Sequence, residues 1–81
     1  MSAVPFLERF REAEKSQAAN LARMCGTPGE IKARTAEYIA TNQASDFPQD
    51  VKDALIAHHR KIAEIATWYA WNPADLALAP A

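Results

Sequence analysis

The chain has 81 residues, 49% of them hydrophobic, with nine basic and ten acidic side chains and a net charge of −1. That length suits a single domain, which buries only roughly 60% of its unfolded surface, and much of the apolar content is alanine, which adds helix propensity more than buried area. Charges of both signs are interspersed, which argues against a nucleic-acid partner; the lone Cys25 excludes an internal disulfide or a CxxC site; and no window is apolar enough to span a membrane.

The first residues, Met1-Ser2-Ala3-Val4-Pro5, lack a basic stretch followed by an apolar one. The expectation is a cytoplasmic protein, or one carried in a particle assembled there. A first helix over about 3–24 starts with Ser2 as N-cap and Pro5 in its first turn. It presents Phe6, Leu7, Phe10, Ala13, Leu21 and Met24, and Gly26 ends it as a left-handed C-cap.

Thr27-Pro28-Gly29-Glu30 then reads as a capping box with proline at the first helical position. It opens a second helix over about 28–42 that presents Ile31, Thr35, Tyr38 and Asn42, with Ile39 at the edge. The connection Gln43 to Pro48 is rich in turn formers, offering Ser45 or Asp46 as a cap and Phe47 as an apolar plug.

The third helix, over about 48–71, carries Val51, Leu55, His58, Ile62, Ile65 and Tyr69 at alternating four- and three-residue steps, and Asn72-Pro73 stops it. The tail 73–81 either docks on a surface or frays. The fold class is therefore all-α: one domain, 1–81, built as a small three-helix bundle of a helical hairpin plus a long C-terminal helix, and completed by oligomerisation.

Chemistry is sparse. His58 and His59 are adjacent, so on a helix they point about 100° apart and do not share a metal ion; no metal site and no cofactor is expected. Cys25 sits at a helix C-terminus, where the dipole raises a thiol pKa, and no carboxylate pair is marked out as acid and base. No catalytic residue, and hence no enzyme, is expected.

Polar residues near the middle of the helices, Glu14, Gln17, Arg34, Thr35 and His58, form a layer that reads either as a register-fixing network or as one side of a ligand pocket. In the second reading the pocket comprises Gln17, Arg34, Tyr38, His58 and Tyr69, with Arg34 holding an anionic group and a tyrosine stacking on a ring.

Trp68-Tyr69-Ala70-Trp71 cannot all face one core. Ile56, Ala63 and Ala70 form a seven-residue row of mostly small side chains, which with Trp68 and Trp71 makes a second contact surface for another helix. The competing reading has Leu76 and Leu78 of the tail folded over Trp71.

The function expected from these features is a non-enzymatic interaction module that associates with itself, binds and blocks a larger protein, or does both, in the manner of phage-type or bacterial accessory proteins. Two other roles fit the sequence: sequestration of a small nucleotide signal, and a small structural component of an assembly or virion. For the former, the loop Asp46-Phe47-Pro48 and the helix ending Trp68-Tyr69-Ala70-Trp71-Asn72 make less than half of the chain faintly similar to small helical phage proteins that sequester cyclic-nucleotide signals. That resemblance implies Arg34, Tyr38 and His58 as binding residues.

Overall fold

The computed structural model describes residues 4–81. Ser2, the expected first cap, lies outside the described residues. Five helices follow in order: α1 (Val4–Leu7), α2 (Glu12–Cys25), α3 (Pro28–Gln43), α4 (Gln49–Trp71) and α5 (Pro73–Ala77). The described residues contain no strand, so the fold is all-α.

The first helix divides where an unbroken one was expected. The chain turns after Leu7 through Phe10 N–H to Leu7 O (3.1 Å), and Arg11 is extended at φ −74°, ψ 157°. Two gains account for the break. Phe6 stacks on Trp68 with centroids 4.6 Å apart, Phe10 meets Phe6 edge-on at 5.2 Å, and the Arg9 guanidinium lies over both rings. Glu14, at the third position of α2, then accepts the Arg11 amide on Oε1 at 3.0 Å and satisfies a donor that a helix start leaves orphaned.

Gly26 closes α2 in the left-handed region, φ 85°, with its amide on Ala22 O. Thr27 Oγ1 accepts the Glu30 amide at 3.2 Å and Pro28 opens α3, which is the expected cap without the return bond from Glu30. Ser45 closes the α3–α4 turn instead of capping α4: its hydroxyl donates to Asn42 O at 2.6 Å and accepts the Phe47 amide at 3.4 Å. Phe47 is no plug. It stands 52% exposed at the tip of the hairpin.

The helix α4 packs against both α2 and α3. The core is Ala18, Ala19, Leu21 and Ala22 of α2, Ile31 of α3, and Ile62, Ile65, Ala66 and Tyr69 of α4. The alanines let α2 approach the hairpin closely. The expected α4 stripe is accordingly buried only in its second half, since α2 is 14 residues long against 23 for α4.

One consequence dominates the surface. From Ala36 through Lys61, the second half of α3, the loop and the first half of α4, no residue is buried. This arm of two paired helices projects from the core with Tyr38, Ile39, Leu55 and Ile56 half-buried and Phe47 and Val51 exposed.

The tail docks, but against Trp68 and α2 and not over Trp71. The Trp68 indole N–H donates to Asp75 Oδ2 at 3.1 Å, Arg23 donates to Leu76 O at 3.1 Å, and the Ser16 hydroxyl donates to Ala81 O. Together α1 and α5 enclose Trp68, while Trp71 is left 71% exposed.

Candidate functional site

Two depressions lie on either side of Thr35. The larger is an open apolar groove of about 630 Å³ along the α3–α4 seam, lined chiefly by Ile31, Ala36, Ile39 and Ala63, with Lys32, Arg60 and Glu64 on its walls. The smaller, about 270 Å³, lies where α2 meets the hairpin and is lined by Gln17, Asn20, Leu21, Met24, Tyr38, His59 and Ile62. Thr35 belongs to both, and its hydroxyl is buried without a hydrogen-bond partner. A buried polar atom of that kind costs stability unless something satisfies it, so it marks this position.

The groove follows from helix spacing. On α4, Ile56, Arg60, Ala63 and Thr67 recur at four- and three-residue steps on one face, and Trp71 continues the row one turn later. Small Ala63 and Ala36 keep its floor open, and the Thr67 hydroxyl is turned inward onto Ala63 O at 2.8 Å. Of the interface residues read from sequence, Ile56, Ala63 and Trp71 therefore share this side of α4. Ala70 is half-buried against the core, and Trp68 is occupied within the chain by Phe6 and Asp75.

The smaller cleft brings together part of the expected polar layer. His58 Nε2 donates to Gln17 Oε1 at 3.0 Å, and Gln17 and Tyr38 line the cleft. The imidazole beside Tyr38 is that of His59, with centroids 5.2 Å apart, and burial followed by repulsion from His58 lowers its pKa. Neither Arg34 nor His58 lines the cleft; Arg34 instead reaches Met24 Sδ at 3.9 Å. Tyr69 is elsewhere, wholly buried in the core near Leu7, Glu12 and Lys15, and burial pushes its phenol pKa up.

Glu14 is a buried structural anchor in the polar layer, 4% exposed. It accepts the Arg11 amide and guanidinium (3.0 and 3.1 Å) and the Lys61 ammonium (3.1 Å); in that order they hold its pKa at about 2, against the opposing effect of burial.

Among the described residues no cluster of three or more His, Cys, Asp or Glu side chains is arranged to hold a metal ion, and no helix is long and apolar enough to cross a membrane. Comparison with protein-family models, with curated proteins and with solved structures returns no match for the chain.

Proposed function

We propose that the chain is a non-enzymatic helical interaction module that associates with itself through the α3–α4 arm, and that the same kind of contact serves to engage and block a larger protein. The supporting observation is the arm itself, which contains no buried residue from Ala36 through Lys61 yet carries Tyr38, Ile39, Val51, Leu55 and Ile56. Helix pairs gain most of their stability from tertiary packing of an apolar face, and on its far half this pair buries no side chain fully. Trp71, left uncovered on the groove side of α4, adds an aromatic anchor of the type enriched at interfaces.

The test is surface substitution. Ile56→Asp and Trp71→Ala are expected to shift the protein toward monomer with helicity retained by circular dichroism. An oligomer unchanged by both substitutions would remove this surface.

A second reading, capture of a small ligand, is favoured by the orphaned Thr35 hydroxyl together with the Tyr38 and His59 rings around the smaller cleft. Shifts of the His59 ring protons on adding nucleotides would support it; unchanged spectra at millimolar nucleotide would dismiss that ligand class.

A further inference from the structure

The tip of the α3–α4 arm and the groove along its seam carry opposite charge. The tip carries Asp46, Asp50 and Asp53 around exposed Phe47, with Lys52 as the only cation there, its ammonium donating to Gln43 O at 2.9 Å. The groove, by contrast, carries Lys32 and Arg60 against Glu64. Among the described residues none of these side chains takes part in an ion pair; the ion pairs present are Arg11–Glu14, Lys15–Glu12 and Lys61–Glu14. An acidic tip bearing an aromatic ring and a basic-edged apolar groove thus lie on one chain, both without an ion-pair partner.

Their spacing makes the surface self-complementary. The loop begins about nine residues beyond Thr35 along α3, which is ~14 Å at the helical rise. Two arms laid antiparallel across a two-fold axis midway along that span bring each tip to the other's groove. The axis then falls between Ile39 and Ile56, the two isoleucines of the arm. A closed two-fold contact requires this relationship, in which residue i of one copy meets j of the other and j meets i.

We infer that the occupant of the groove is a second copy of this chain: two arms pair antiparallel as a four-helix layer, each inserting Phe47 between Ile31, Ile39 and Ala63 of its partner, with Asp46 and Asp53 facing Lys32 and Arg60. This rests on the self-association proposed above and specifies its geometry. Phe47 gains an apolar site, and the charged walls fix the register.

Charge reversal tests it. The double variants Asp46→Lys/Asp53→Lys and Lys32→Glu/Arg60→Glu are each expected to dimerise at least ~10-fold more weakly than the wild-type chain. Mixed in equal amounts, they should recover a one-to-one heterodimer, because both tip-to-groove contacts are then complementary. Phe47→Ala, at an exposed loop position, should also weaken the dimer at least ~10-fold with helicity unchanged. A wild-type dimer accompanied by unaffected variants, or by a mixture that stays monomeric, overturns this geometry while leaving self-association through another face. A wild-type chain monomeric at all concentrations overturns both.

Discussion

Lys61 Nζ donates to Glu14 Oε2 at 3.1 Å, joining the start of α2 to the middle of α4 at a carboxylate that also accepts the Arg11 amide. The folded chain thus holds this group ionised, with its pKa lowered from 4.5 to about 2. The unfolded chain binds the proton more readily, so the stabilisation is complete above pH 4.5 and is lost as pH falls toward 2. Urea midpoints measured across that window should fall steeply for the wild-type chain. Glu14→Gln should flatten the dependence; an equally steep fall in the variant would assign acid sensitivity to other carboxylates.

His59 gives a second window. Burial and the neighbouring His58 lower its pKa from 6.5, so the folded chain prefers the neutral ring. As pH falls below 6.5 the unfolded state takes up the proton first and stability declines, the full contribution being present above that value. The expected signature is a His59 ring-proton titration midpoint below 6.5, with His59→Gln removing the corresponding slope of stability against pH.

Thr35 is buried with an unpartnered hydroxyl, so Thr35→Val, which replaces it by a methyl group of similar shape, should be neutral or stabilising by up to about 1 kcal/mol. Thr35→Ser retains the hydroxyl and loses a methyl, and should be less stable by about 1 kcal/mol. Chemical denaturation of the pair separates them. A marked loss of stability in Thr35→Val would mean that the hydroxyl is satisfied in solution.

The two tryptophans should report separately. Trp68 is packed on Phe6 and bonded to Asp75, whereas Trp71 is 71% exposed. Phe6→Ala should red-shift the Trp68 emission and lower stability by about 3 kcal/mol or less, the ring being only half-buried. Trp71→Phe should leave the stability of the monomer within about 0.5 kcal/mol.

The all-α class and the breaks at Gly26, Pro28 and Asn72-Pro73 were legible because their signals are local. Gly26, Pro28 and Asn72-Pro73 punctuate the chain by backbone sterics that no tertiary contact overrides. The division of the first helix was not legible. It depends on Phe6 meeting Trp68, far along the chain, and on Glu14 finding both Arg11 and Lys61.

For the same reason the apolar period on α4 could not say which half α2 covers; that follows from the length of α2 and the placement of its alanines. That Ile56, Ala63 and Trp71 share one side of α4 was readable from helical phase alone. Trp68 was misplaced because its cover comes from both termini. The neighbouring histidines were distinguished only by packing, which binds His58 to Gln17 and leaves His59 in the cleft beside Tyr38.

The most direct measurement is the molar mass of the intact chain by light scattering across a dilution series. A reversible passage from monomer at low concentration to a discrete dimer, twice the 8.9 kDa of the single chain, is the predicted result. A mass that stays at 8.9 kDa up to millimolar concentration would contradict self-association through the arm.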